Sequence, residues 1–332
     1  MPDFGTGRLR APFLLAASLL AAPALAAGET NLRFGLPLVC TLGEDCYIQQ
    51  YVDRDPGPGQ LDVGCNGLAN DEHKGTDFGV ISLSQMRAGT PVVAAAPGTV
   101  RGVRDGMPDI DTTDPAAPDV TGRECGNGVA ISHGDDWETQ YCHMREGSVA
   151  VQQGQTVERG EVLGMVGMSG QATFPHVHFS VRQGNRVIDP FNPDMSENCG
   201  LAGDGMWLTV PPYRPGGLLA AGVIDRVPDY AEIKDGLPVN GLPDADPDAV
   251  VIWAYAFAGQ AGDDLRIRVL DNAGTVLSRQ SMTLPKAQPF FFRAWGRKAP
   301  PGGFPAGSYR AVVVLRRGET VLDRRVVRFD LP

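Results

Sequence analysis

The sequence predicts an all-β protein in two parts, a first half built of short strands followed by an immunoglobulin-like β-sandwich. Three observations point there. Gly (42) and Pro (27) supply about a fifth of the 332 residues, which suits many short elements joined by tight turns. No long segment repeats its apolar residues at a 3.6-residue period. Strand-length runs of alternating apolar and polar residues recur between turn-forming clusters. With 42% hydrophobic and 20% charged residues the chain can bury a normal core. A formal net charge of −10 excludes general nucleic-acid binding, which needs a basic footprint.

The N-terminal stretch MPDFGTGRLRAPFLLAASLLAAPALAAGET has Arg8 and Arg10 before an apolar run, then Ala24-Leu25-Ala26. This is the pattern of a secretory signal peptide over residues 1–26. The run is broken by Pro23 and is shorter than the roughly 20 residues that span a bilayer. The expectation is an exported chain, periplasmic or alternatively extracellular. All six cysteines (40, 46, 65, 125, 142 and 199) follow this segment. An even number in an oxidising compartment predicts three disulfides, and the expected pairing is Cys40–Cys46, Cys65–Cys125 and Cys142–Cys199.

Residues 27–200 read as short strands. LPLVC and CYIQQYVD come first, then a Pro/Gly/Asp turn at 53–60. TPVVAAAPGTVRGV reads as a hairpin around Pro97-Gly98. Residues 105–124 are acidic, Pro-rich and aperiodic, a surface insertion. GVAISHG and TQYCHM alternate around a turn, 157–170 is glycine-punctuated β, and HVHFSVRQGNRVIDP is a strand, a Gly-Asn turn and a returning strand. A linker follows at 201–217. Residues 218–332 hold VVIWAYAFAG, DLRIRVLD, TVLSRQSMTL, FFFRAW, SYRAVVVLRRG and TVLDRRVVRFD, the strands of a sandwich. That half has no His or Cys and no catalytic constellation. Residues 250–332 carry 13 basic and 6 acidic residues. This face could meet an anionic wall polymer or a membrane surface, or simply dock on the acidic first half.

Chemistry concentrates in three motifs. In His176-Val177-His178-Phe179 a strand would place both imidazoles on one face and Val177 and Phe179 on the core face. His73-Lys74-Gly75-Thr76-Asp77 offers an imidazole and a carboxylate across a turn running into a strand. In Tyr141-Cys142-His143-Met144, alternation places Tyr141 and His143 on one face, with Cys142 and Met144 behind, suited to a disulfide rather than to nucleophilic attack. Each motif alone is weak, and a bare H-x-H is more often an exposed pair. Together they make a mononuclear zinc site with three protein ligands and water. Two imidazoles and a carboxylate would leave a charge of about +1 at the metal, which brings the pKa of a coordinated water towards neutrality. H-E-x-x-H is absent, and neutral imidazole can take the base's role.

The ordered set H-x-x-x-D, Y-x-H and H-x-H-F resembles the LytM/lysostaphin-type zinc endopeptidases that cut peptidoglycan peptides. G-T-P-V with A-A-x-G-x-V at 89–100, G-N-G-V-x-I-S-H-G at 126–134, G-Q-x-V-x-R-G-E-x-L-G at 154–164 and G-x-S-G-x-A-T-x-P-H-V-H-F at 167–179 agree. The likeness covers about residues 70–195. It implies one Zn²⁺ held by His73, Asp77 and His178, a catalytic pair His143 and His176, and a compact antiparallel β catalytic domain with a narrow groove floored by its sheet. It assigns nothing to His133, read as a surface or packing residue. Some active members have a tyrosine shortly before the first histidine, whereas GCNGLAN here has none. The piece before residue 70 could lie across the groove, and 105–124 could reshape one wall. The resemblance implies hydrolysis of peptidoglycan cross-links, D,D-endopeptidase type favoured. The alternatives are a catalytically inactive regulator of a cell-wall amidase and a secreted protease acting on proteins.

Overall fold

The computed structural model describes residues 1–2, 32–194, 199–243 and 246–332. The chain divides into two compact units, Met1–Leu32 and Arg33–Pro332, and the second holds every element below. The signal-peptide reading lies outside the described residues. Among the described residues no helix is long and apolar enough to cross a membrane.

The first sheet is built from β1 (Cys46–Gln50), β2 (Thr76–Val80), β4 (Gly98–Arg104), β5 (Asn127–Gly134), β6 (Trp137–Met144), β7 (Thr156–Val157), β9 (His176–Gln183) and β10 (Arg186–Ile188). Its order is β1-β2-β9-β6-β5-β4-β7, with β10 turned back onto β9. Every pairing in it is antiparallel. One face buries Phe78, Tyr141, Val177 and Phe179, each fully enclosed. β3 (Pro91–Val93) and β8 (Val162–Met165) form a separate two-stranded ladder. The hairpin read at 90–103 is therefore not one. β3 pairs with β8, β4 pairs with β5 and β7, and Ala94, Ala95 and Ala96 cross between the two sheets fully buried. LPLVC is also not a strand, and Leu38 makes only an isolated bridge to Val92. Between β2 and β3 lies a short helix, α1 (Leu83–Ala88), capped by the Ser82 hydroxyl.

The C-terminal half is a two-sheet sandwich. β11 (Gly217–Ile224), α2 (Tyr230–Asp235), β12 (Asn240–Gly241), β13 (Ala249–Gly259), β14 (Asp264–Asp271), β15 (Val276–Thr283), β16 (Gln288–Lys298), β17 (Gly307–Arg317) and β18 (Thr320–Leu331) follow in order. One sheet runs β12-β11-β13-β16 and the other β15-β14-β17-β18, an arrangement consistent with an immunoglobulin-like sandwich. Ile252, Ala254, Leu265, Ile267, Val313 and Leu315 fill the space between them. The other face of β13 presents Val251, Trp253, Tyr255 and Phe257 to Tyr47 and Phe174 of the N-terminal half. This explains why AVVIWAYAFAG is a nearly continuous apolar run. A strand covered on both faces has no reason to alternate.

All six cysteines are paired, as Cys40–Cys46, Cys65–Cys199 and Cys125–Cys142. The first matches the sequence expectation, and the other two correct it. Cys125 lies just ahead of β5, beside Cys142 on the antiparallel β6, and the His143 N–H donates to the Cys125 carbonyl at 2.8 Å. Cys65 and Cys199 meet where two loops touch, the Gly200 N–H donating to the Val63 carbonyl.

Candidate metal centre

Register alone brings the first residues together. Asp77 on β2 stands opposite His178 on β9, and Gly79 stands opposite His176. Cross-strand partners share a face, so Asp77, His176 and His178 all project from the side away from Phe78 and Val177. His73 precedes β2 by three residues and folds back over the same spot. Its Nε2 lies 3.1 Å from one Asp77 oxygen, and His178 Nδ1 lies 2.9 Å from the other. The two ring nitrogens are 3.2 Å apart. One donor atom from each of His73, Asp77 and His178 falls within 4.8 Å of the others. Two nitrogens and a carboxylate oxygen converging in this way are a donor set that fits a small divalent cation such as zinc. The other grouping of this kind among the described residues, Cys40/Asp45/Cys46, has its sulfurs committed to a disulfide.

The carboxylate is almost fully buried. Burial raises its pKa, yet the charges of His73 and His176 and the hydrogen bonds from His178 and His73 outweigh that, holding Asp77 well below the usual carboxylate range. Burial works against protonation of His73. Asp77 prevails, and the ring is raised to about 8. Burial lowers His178, in spite of its bond to Asp77.

His143 and His176 stand beside this cluster. Their ring centroids are 4.6 Å apart, and His143 is 6.0 Å from His178. Both are buried, and His143 is pushed well below its ordinary pKa by burial and then by its two histidine neighbours. His176 Nε2 is 3.8 Å from Asp77. A backbone carbonyl takes the Nδ1 of three rings: Tyr51 for His73 (2.7 Å), Ser169 for His143 (2.8 Å) and Phe174 for His176 (2.8 Å). A carbonyl can only accept, so each of these Nδ1 atoms carries a proton, and the Nε2 of each ring is the nitrogen turned towards the cluster or its neighbours.

His143 reaches the cluster by a route that strand alternation does not describe. Cys142 is the register partner of His178 and shares its face, whereas Tyr141 pairs with Phe179 and points into the core. The Tyr141 hydroxyl there accepts from the Ala95 N–H at 2.8 Å. The expectation that Tyr141 and His143 share a face is thus overturned. The backbone of His143 sits at φ +61°, beside a register shift between Asn127 and Val129, and this turns its ring onto the groove side. Left-handed backbone is strained for a non-glycine residue and persists only when its surroundings hold it. Here the Cys125–Cys142 disulfide and the bonds to the Cys125 and Ser169 carbonyls do so. His133 stands apart, its nitrogens bonded to the Pro97 carbonyl and the Thr139 hydroxyl.

Two parts of the surroundings have no counterpart in the sequence motifs. The carbonyls of Tyr51, Ser169 and Phe174 carry no side-chain signal. Tyr47 shares the groove face through its pairing with Gly79, and its buried hydroxyl has no hydrogen-bond partner among the described residues. The 105–124 segment is anchored as well, Asp109 accepting from the Met168 and Glu146 N–H groups.

An antiparallel β domain with an imidazole–carboxylate–imidazole cluster is the class of protein these features define. Residues 71–190 match the family described as Peptidase family M23, so the chain carries an M23 peptidase domain. An "Uncharacterized metalloprotease" of Haemophilus influenzae is 36% identical over 118 residues, 36% of this chain and 20% of that protein. "Peptidoglycan DD-endopeptidase ShyA" of Vibrio cholerae is 34% identical over 117 residues, 35% of this chain and 22% of that one. The chain thus spans about a fifth of the length of these curated relatives. Among solved structures, a zinc-containing peptidase from Vibrio cholerae is 26% identical, covering 44% of this chain and 39% of that chain with a TM-score of 0.28.

Proposed function

We propose that this protein is a zinc-dependent endopeptidase that hydrolyses peptide cross-links of peptidoglycan, with the D,D type favoured. In this reading residues 27–200 are the peptidase part, 201–217 a linker and 218–332 an accessory sandwich. The observation that carries it is the convergence of His73, Asp77 and His178 beside two further imidazoles, His143 and His176, each held through its Nδ1–H on a backbone carbonyl. Relatives named as peptidoglycan DD-endopeptidases supply the substrate class.

His73, Asp77 and His178 are the ligands. When bound, zinc supplies Lewis-acid activation of a water and of the scissile carbonyl. His143 and His176 handle protons. A neutral ring, held neutral by burial, accepts the proton of the attacking water, and the resulting imidazolium stabilises charge on the carbonyl oxygen or protonates the departing amine. The Ser169 and Phe174 carbonyls hold both rings in the tautomer this requires. Three disulfides support export to an oxidising compartment, the periplasm.

The test is mass spectrometry of muropeptides released from sacculi by the purified chain, with and without a chelator. Chelator-sensitive release of cross-link cleavage products, lost in His143→Ala while zinc stays stoichiometric, is the expected result. A chain without zinc that releases nothing would be an amidase regulator, and efficient casein digestion would make it a general protease.

A further inference from the structure

One loop carries the orientation of both non-ligand histidines. Ser169 at its start bonds His143, and Phe174 near its end bonds His176. The insertion grips this loop on one side. Asp109 accepts from the Met168 N–H at 2.6 Å, the Gln171 N–H donates to the Glu124 carbonyl, and the Thr112 N–H and hydroxyl both donate to the Ala172 carbonyl. The sandwich grips it on the other. The buried Phe174 ring lies 5.0 Å from Phe290 and 6.4 Å from Tyr255, centroid to centroid. Tyr47, on the groove face beside Gly79, packs 4.7 Å from Phe257. The sandwich therefore covers the same face of the sheet that bears the histidines. It also meets the insertion directly, Lys234 on α2 lying 3.6 Å from Asp111.

We propose that the sandwich is a positioning element of the metal centre, with Phe290 and Tyr255 seating Phe174 and so holding the carbonyl that orients His176. Pro175 follows Phe174 and confines its backbone to extended conformations, which leaves the ring and its carbonyl little freedom to move separately. A ring that loses its seat lets the carbonyl turn, and the imidazole loses the partner that fixes its tautomer. The proposal rests on the peptidase reading for its kinetic consequence but not for its structural one.

The test uses the full-length chain with Phe290→Ala and Phe290→Leu, a half-buried position, with circular dichroism confirming that each variant is folded. With a soluble cross-linked muropeptide as substrate, Phe290→Ala lowers kcat about 10- to 100-fold, the scale of a small misplacement of reacting groups. KM stays within about twofold and zinc remains one per chain, while Phe290→Leu recovers most of the rate. In ¹⁵N-histidine NMR the exchange-protected Nδ1–H of His176, assigned by its absence in His176→Gln, disappears in Phe290→Ala. An unchanged kcat, or an Nδ1–H signal that survives in Phe290→Ala, overturns the proposal. If the wild type cleaves no muropeptide, the peptidase reading fails, and the NMR signal still decides the positioning role.

Discussion

Gly75 lies flat against the ring of His178: a Cβ built on it would stand 2.6 Å from His178 Nε2 and 2.7 Å from the Phe179 carbonyl oxygen. The glycine inside H-x-x-x-D is thus a space requirement of the facing strand. Gly75→Ala must displace the His178 ring or β9 itself. Zinc affinity is expected to fall roughly 10- to 100-fold, the usual cost of disturbing a ligand's support. Competitive titration against a chromophoric chelator measures it, and an affinity within about threefold of wild type would contradict this account.

Ligands and non-ligands separate by linkage. A metal that binds only the folded chain stabilises it by about 2.7 kcal/mol at 100 times Kd. Zinc should raise the melting temperature of the metal-free wild type and of His143→Ala. It should leave His178→Ala unmoved. Calorimetry of the three proteins with and without zinc reads this directly.

The crosslinks make a second thermodynamic pair. Cys65–Cys199 closes a loop of 134 residues and Cys125–Cys142 one of 17. Chain entropy then assigns about 5 kcal/mol to the first and about 3 kcal/mol to the second. Replacing both cysteines of a pair by Ser should lower the urea midpoint in that order. Peptide mapping without reductant should recover these two pairs and no Cys65–Cys125 peptide.

Ser169 is fully buried, and its hydroxyl accepts from the Asn127 N–H and donates to the Met144 carbonyl. Ser169→Ala leaves the buried Asn127 N–H unpaired and removes one of two donors to the Met144 carbonyl, which keeps the Asn127 Nδ2 at 3.1 Å, at a cost of about 1–3 kcal/mol near the strained His143. Equilibrium unfolding of the variant at neutral pH gives the number.

Asp189 gives the chain a pH dependence of its own. Burial pushes its carboxyl up to about 6 from an ordinary 3.8, in spite of the Phe191 N–H and the Arg54 guanidinium 3.1 Å away. The folded state therefore holds this proton more tightly than the unfolded state. The associated stability is present below about pH 4 and is lost as the pH rises through 6. Asp189→Asn removes the charge of Asp189 beside Arg54 and should decline less in stability between pH 4 and 6.5 than wild type. Parallel slopes in urea titrations at those pH values would refute it.

Much of this protein is determined by residue types and spacing alone. The six strand-length segments read in the second half are all strands, and in H-x-H the period of two does put His176 and His178 on the same face. Local backbone geometry and side-chain chemistry suffice for such statements, because neither depends on distant contacts. Other features were settled only when remote segments met. Alternation misplaces Tyr141 and Cys142 because a left-handed residue interrupts the period at His143, and a histidine in sequence carries no sign of its φ. The partners of Cys65, Cys125, Cys142 and Cys199 depend on which loops and strands become neighbours. The buried outer face of β13, and with it the contact between Phe174 and Phe290, arises because the sandwich and the N-terminal half share one apolar surface. Pairwise proximity across more than a hundred residues is a property of the folded chain, and hydrophobic pattern prescribes that a face be covered without saying by what.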